Sequence, residues 1–309
     1  MELRQLRYFT AVAEELSYSR AAARIHVSQP SLSRQVAALE AEIGVALLDR
    51  DKHRVSLTAA GRAYLDGVRE LLAGLDQTAD LARRTAQGQV GRLALGFGGS
   101  AAYTLMPAVL RRFRARYPEV EVTLQQLPLT AQLDALRDGR VDVGFLLLPV
   151  DDAAVRTERL MRDRMVVAVP SDHALARRRE VALRSLSEEA FVAFPREGGL
   201  GYRDRMVELC LKAGFTPRIV REAAPLESIV GFVASGAGIA LLPAMAQRLR
   251  VADVLYVPIS ERYAYMDFAL AWREAGKSPA LEAFLTQARE VAREAGVNQP
   301  TNRARGRIR

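Results

Sequence analysis

Apolar residues return every three or four positions through the first 45 residues, then alternate, then resume helical spacing, and finally settle into short strands and helices by turns. Leu6, Phe9, Ala13 and Leu16 form one helical stripe, and Ser19 is placed to cap a second run, Arg20 to Ile25, that buries Ala22 and Ile25. In the stretch VSQPSLSRQVAALEAEIG, Ser28 predicts the N-cap of a third helix and Pro30 presets an early helical dihedral. Leu32, Val36, Leu39 and Ile43 supply its apolar face, and Gly44 its stop. Only His26 and Val27 separate the second run from that cap, so the two helices must meet steeply, as in a helix-turn-helix unit. The first turn of the third helix then faces outward with Gln29, Ser31, Ser33 and Arg34 instead of the usual Glu and Lys. Such side chains can read base edges in a DNA major groove, Gln adenine, Arg guanine and Ser either. A small helical hairpin with a solvated polar face is the competing reading.

Val55 and Leu57 alternate after a basic tip, the pattern of a two-stranded wing, with Arg50, Lys52 and Arg54 placed for phosphates. Thr58 can cap a helix running to about Gln87, along which Leu65, Val68, Leu72, Leu75, Ala79, Ala82 and Ala86 step as a heptad seam. So narrow a stripe suits a partner helix, most simply that of a second copy, with an intramolecular connector as the alternative. Gly67 and Gly74 each weaken the helix by about 1 kcal/mol relative to Ala, so it depends on that packing.

Past the Gln87–Gly91 hinge, strands near Leu93–Phe97, Val120–Gln126 and Val141–Phe145 alternate with helices ending at Tyr117 and starting at Thr130, an α/β pattern with a largely parallel sheet. A second such unit opens at Met165–Pro170. It contains helices near Tyr202–Ala213 and Pro225–Ser235 and a buried strand at Gly238–Leu242, and Phe268–Trp272 with the Pro279–Ala295 helix returns to the first unit.

The N-terminal residues Ala22-Ala23, Ser28-Gln29, Leu32-Ser33-Arg34-Gln35-Val36, Leu39-Glu40, Ile43-Gly44, Leu47-Leu48, Arg50 and Leu57-Thr58-x-x-Gly61 together resemble the winged helix-turn-helix of LysR-type transcriptional regulators. Ile25 and Leu48 depart from that pattern only by apolar swaps, for Leu and Phe, that a core tolerates. The resemblance continues more loosely through Pro107, Phe113, Tyr117-Pro118, Gly139-Arg140-Val141-Asp142 and Gly236-x-Gly238-Ile239. It implies an α + α/β chain: a winged domain over 1–58, a linker helix over 59–87 that pairs two subunits, and an effector domain over 88–300 like a periplasmic binding protein. Lobe 1 would take 91–164 and 268–300, lobe 2 165–267, with hinge crossings near Leu160–Met165 and Asp267, and 301–309 would be a basic tail. Regulators of aromatic catabolism in this family contact carboxylate effectors from places equivalent to Ser100, Thr130 and Phe194-Pro195-Arg196, and Ser228 is a further candidate. Both hydroxyls could equally be plain helix caps. Relatives that bind dicarboxylates tend to have an Arg where this chain has Leu146-Leu147-Leu148, so the effector is less charged, or Arg196 or Arg203 supplies the charge.

The net charge of +8 favours an anionic partner, but only Lys52, Lys212 and Lys277 are lysines, and ten basic residues face nine acidic ones in the first seventy. Arg303, Arg305, Arg307 and Arg309 end the chain as a solvated tail. The lone Cys210 excludes a disulfide framework, His26, His53 and His173 have no metal-ligand spacing, and charges at Glu2, Arg4 and Arg7 exclude a secretory signal. Gly96-Phe97-Gly98-Gly99-Ser100-Ala101 fits a relaxed dinucleotide fingerprint, yet the next strand ends in Leu127-Pro128 without the ribose-binding acid, and a nucleophile elbow there would lack its second Gly. The reading is a cytoplasmic, non-enzymatic regulator without cofactor, catalytic residue or metal. Its expected partners are operator DNA, a small-molecule effector, further copies of itself up to a tetramer, and RNA polymerase, with no membrane. A small-molecule-binding protein or enzyme with an incidental helical N-domain is the alternative.

Overall fold

Helices α1 (Leu3–Glu15), α2 (Tyr18–Arg24) and α3 (Gln29–Ile43) close around Leu6, Phe9, Val12, Ala21, Leu32, Val36 and Leu39, all buried, because each helix offers apolar side chains at helical spacing. The computed structural model describes residues 1–51, 54–196, 201–275 and 277–295, with Arg50, Asp51 and Arg54 described as backbone only. Strands β1 (Leu48–Asp51) and β2 (Arg54–Leu57) pair antiparallel, Leu48 opposite Leu57, as the predicted wing. The long α4 (Ala59–Ala86) follows, and the chain divides into two compact units at Arg84/Thr85.

The wing is fixed to the helices by polar atoms that the family-like motif supplies. Glu40 Oε1 accepts from the backbone N–H groups of Leu47 and Leu48, both at 2.9 Å. Thr58 Oγ1 donates to Ala46 O at 2.9 Å and accepts from Gly61 N at 2.8 Å, capping α4 as expected. Gly61 faces the Leu47 carbonyl so closely that a Cβ would stand 1.9 Å from its oxygen.

Several expectations for this unit need correction. Leu16 is not a core residue but the exposed, left-handed C-cap of α1. Ser17, not Ser19, caps α2, accepting from Arg20 N, and Ile25 is only half-buried. Ser28 stands at the N-cap of α3 by position, with no capping bond from its side chain. On α4, Leu65 and Val68 are 5 % and 4 % exposed within their own chain, packed with Phe9 and its neighbours, and Leu72 packs against the same cluster. The first turns of the helix thus complete the winged domain, which the heptad pattern alone could not distinguish from a seam between subunits. Leu71, Leu75 and Leu81, at 54 %, 40 % and 49 %, are the exposed large apolar residues of α4.

In the second unit, β3 (Val90–Phe97) pairs in parallel with β4 (Glu119–Gln126) and β5 (Val143–Leu147). Between them run α5 (Met106–Arg116), begun later than the pattern suggested because Gly99–Tyr103 is a separate 3-10 turn, and α6 (Leu129–Asp138). The sheet is mixed where a largely parallel one was expected. β6 (Val155–Pro170) is a single strand of 16 residues, its first part antiparallel to β11 (Tyr265–Arg273), which pairs β5. Its last residues pair instead with β9 (Ala240–Pro243) and β10 (Val254–Pro258), so one strand belongs to both lobes. The sequence suggested a strand only from Met165, because Val155–Arg164 carries six charged residues in ten and lacks an apolar rhythm.

Lobe 1 buries Leu93, Leu95 and Phe145 against α5 and α9 (Pro279–Glu294), where Phe284 meets Phe113 edge-on at 5.2 Å, while α6 covers the opposite face with Leu136. Asp142 N donates to Ala94 O and its carboxylate accepts from Ala94 N at 2.7 Å, which accounts for the Gly139–Asp142 motif as a lock between β5 and β3. Lobe 2 adds β7 (Ala190–Ala193), α7 (Tyr202–Lys212), β8 (Arg218–Glu222) and α8 (Leu226–Ala234). Gly238, at φ +154°, lets the chain pass where a Cβ would lie 2.5 Å from Ala190 O.

Gly61→Ala should cost the winged domain upwards of about 3 kcal/mol, because a backbone carbonyl cannot yield as a side chain can. Gly67→Ala, with nothing within 4 Å of the added methyl, should instead stabilise α4 by about 1 kcal/mol. Thermal unfolding of both variants checks this, and equal shifts would refute it.

Candidate DNA interface and effector cavity

At the start of α3, Gln29 and Arg34 are exposed and Ser31 and Ser33 half-buried. Ser19 Oγ donates to Gln29 Oε1 at 3.0 Å, so the serine misread as a cap orients the glutamine and leaves its NH₂ group to donate outward. Arg34 Nε reaches back to Pro30 O at 3.4 Å. Arg24 bonds both Glu14 and Glu15, and Arg69 also bonds Glu14, tying α1, α2 and α4 together and fixing the angle at which α3 is presented. Burial raises the Glu14 carboxyl, but those two guanidinium groups outweigh it and hold the acid below its ordinary range. The side chains of Arg50 and Arg54, and all of Lys52, lie outside the described residues, as does the 301–309 tail.

In the second unit a cavity of about 630 Å³ opens between the lobes. Lobe 1 contributes Gly98–Ala101, Gln126–Leu129, Gln132, Phe145–Leu147 and Phe268, and lobe 2 contributes Phe194, Tyr202 and Ala224–Leu226. No charged side chain lines it among the described residues. The helices α6, α7 and α8 begin at its wall, with Leu129, Tyr202 and Leu226, and the start of a helix carries unpaired backbone N–H groups and a positive dipole end. Such a space suits a small molecule with an apolar body and one acidic group.

The predicted effector residues divide. Ser100 and Phe194 line the cavity, Phe194 stacked on Tyr202 with centroids 4.7 Å apart. Thr130 does not: expected as the cap of α6, it sits exposed in the first turn, because the helix begins two residues earlier with Pro128 at the cap position. Pro195 and the exposed Arg196 follow Phe194 outside the lining, and Ser228 is half-buried in the first turn of α8, also outside it. Arg203 is engaged by Glu222 and the Phe194 carbonyl, so neither arginine replaces the charge missing at Leu146–Leu148.

Sequence reading missed Gln132 and Tyr202. Gln132 had a legible signal, since it occupies a core position on the face that Leu129 and Leu136 make apolar.

Polar ties cross from lobe to lobe beside the cavity. Tyr103 Oη bonds the Glu227 carboxylate, and that bond, then burial, raises the phenol's pKa. Arg248 Nη1 donates to the carbonyls of Tyr103 at 2.7 Å and Thr104 at 3.1 Å. At the strand crossing Arg162 grips Asp267 with two bonds of 2.8 Å, beside a register shift at Phe268/Ala269. Asp163, whose carboxyl burial pushes up against the bonds it accepts, holds Met245 N at 2.7 Å.

Residues 3–62 match the bacterial regulatory helix-turn-helix protein model of the lysR family, and residues 86–293 match the LysR substrate binding domain. The chain belongs to the LysR family of transcriptional regulators. It is 35% identical over 285 residues to the HTH-type transcriptional regulator AlsR of Bacillus subtilis (strain 168), across 92% of this chain and 94% of that protein. Full-length CbnR complexed with its target DNA superposes with a TM-score of 0.81 at 30% identity, covering 94% of this chain and 100% of CbnR. The effector binding domain of BenM with its effector benzoate superposes with a TM-score of 0.64 at 26% identity, over 70% of this chain and 99% of that one. In this LysR regulator no helix among the described residues is long and apolar enough to cross a membrane.

Arg248→Ala should loosen the lobes without unfolding them. Amide exchange around Thr104 should rise about fivefold while the melting temperature moves little. Unchanged exchange would show that the Arg248 bonds carry none of the closure.

Proposed function

We propose that this regulator reads an operator through Gln29, Ser31, Ser33 and Arg34 in the major groove, anchors on phosphates through Arg50, Lys52 and Arg54, and responds to a small organic acid held in the cavity between its lobes. The observation that carries this is the joint presence in one chain of an outward, Ser19-braced first turn of α3 and an uncharged cavity walled by both lobes. CbnR bound to its target DNA and the BenM domain bound to benzoate support the two halves. A second copy pairs through the exposed apolar residues Leu71 and Leu75 of α4, and the assembly works in the cytoplasm, where the DNA is, with no catalytic step of its own.

An effector shifts DNA affinity only through unequal interaction with two states, so a cavity shared by two lobes is the natural place for it. A catalytic reading would need a nucleophile or acid–base pair in the cavity, and among the described residues its lining offers only Ser100, Gln126, Gln132 and Tyr202 as polar side chains.

Arg34→Ala or Gln29→Ala should erode operator preference by about 1–3 kcal/mol and leave binding to random DNA nearly unchanged. Arg54→Ala should weaken both and flatten the salt dependence. Fluorescence anisotropy on the two DNAs separates these outcomes, and equal losses for every variant would take α3 out of the groove.

Leu75→Asp is the cleaner probe of pairing, since Leu72 also packs on its own domain. It should halve the assembly in light scattering and collapse operator affinity while the winged domain stays folded. An unchanged mass would place the subunit contact elsewhere.

A further inference from the structure

The floor of lobe 1 is shaped around a single amide. Gly96 of β3 and Gly144 of β5 are direct partners in the parallel register, both on the face that α6 covers. A Cβ at Gly144 would stand 3.2 Å from Gln132 Oε1, and one at Gly96 3.5 Å from the same atom. The two missing side chains leave the space that the Gln132 amide fills, which is a packing role for the Gly96 of the fingerprint-like stretch. Gln132 is 2 % exposed and lines the cavity. Its Nε2 donates to Leu127 O at 3.0 Å, which fixes which end of the amide is oxygen, and Oε1 is left without a partner.

Across the cleft, Tyr202 of α7 presents a second unpaired group. The residue is 8 % exposed, and its hydroxyl makes no hydrogen bond, although the Ser100 hydroxyl is near enough to favour the phenolate slightly. Burial outweighs that neighbour and keeps the phenol protonated, so Tyr202 is available as a donor. Buried polar groups are rarely left unpaired in a folded protein. Two of them in the wall of one otherwise uncharged cavity, on opposite lobes, mark polar features that a ligand supplies.

Resting on the effector reading above, we propose that Gln132 and Tyr202 select the effector's chemical class: a small monocarboxylic acid whose apolar body carries a hydroxyl or other hydrogen-bond donor. The carboxylate lies with Ser100 and the Tyr202 hydroxyl, both donors, toward the positive ends of α7 and α8. The ligand's own donor lies on Gln132 Oε1, which can only accept. A second carboxylate in place of that donor is refused, because it would meet an acceptor in a cavity that no cation lines among the described residues. A plain aromatic acid is accepted more weakly, since it leaves Oε1 unpaired.

The test is a calorimetric titration of the full-length protein with benzoate, its monohydroxylated isomers and a benzene dicarboxylate. At least one hydroxybenzoate should bind about tenfold tighter than benzoate, and the dicarboxylate weakest of all. Gln132→Leu should erase the hydroxyl preference and leave benzoate affinity within about twofold, whereas Tyr202→Phe should weaken every monocarboxylate alike. Melting curves confirm that each variant is folded, and the wild-type ranking stands by itself should Gln132→Leu fail to fold. A dicarboxylate that binds as tightly as the hydroxybenzoates, or a hydroxyl preference that survives in Gln132→Leu, overturns the proposal while leaving the effector site intact. Absence of binding by every carboxylate overturns the effector reading itself.

Discussion

Strand β6 is the constraint on which the effector unit depends. Its 16 residues pair first with β11 and then with β9 and β10, so neither lobe can complete its sheet without the other. The register shift at Phe268/Ala269, where the partner strand passes Leu160, adds local twist shortly before β6 changes partners at Met165. The Arg162–Asp267 pair holds the two strands together just beyond that twist. Because the lobes are joined along two strands and nowhere covalently else, the space between them is bounded by the ends of strands and the starts of helices, where backbone N–H groups lack partners. The cavity follows from the topology, and its selectivity from the few polar side chains that the topology sets into its wall.

The winged unit rests on a different kind of constraint, a close approach of backbones. Glu40, Thr58 and Gly61 all act on Leu47 and its neighbours, so the junction between α3, the wing and α4 is held by side chains bonding main chain. The angle of α3 is thereby tied to the start of α4. Any force that turns α4 has a rigid route to α3.

The sequence made the helices and wing of the first unit legible because their apolar positions repeat cleanly and their caps and stops are of distinctive types. Its errors there are local: Ser17 and Ser19 are equally good caps on paper, and only the position of α2 decides between them. Leu65 and Val68 were read as part of a subunit seam because a heptad records that a face is buried, not against what. In the second unit the parallel strands were legible as short apolar runs, whereas β6 was half hidden, since Arg156, Glu158, Arg159, Arg162 and Arg164 occupy it and its burial is uneven. Of the cavity lining, Ser100 and Phe194 were legible through their place at strand ends. Thr130 falls outside the lining because the cap of α6 stands two residues before the one the sequence suggested. Gln132 was visible as a polar residue on the apolar face of α6, but that its oxygen is unpaired emerges only once its bonds are counted.

The division of the cavity between lobes bears on how ligands could fail as well as succeed. Ser100 and Gln132 stand on one wall and Tyr202 on the other. A molecule that bonds the first wall alone is held without drawing the second toward it. Occupancy and response then come apart, and such a compound is a competitive antagonist, tight in a binding assay and silent at the promoter. Structural analogues that differ by one polar substituent can thus fall on opposite sides of that line, and potency ranked by affinity alone would misorder them.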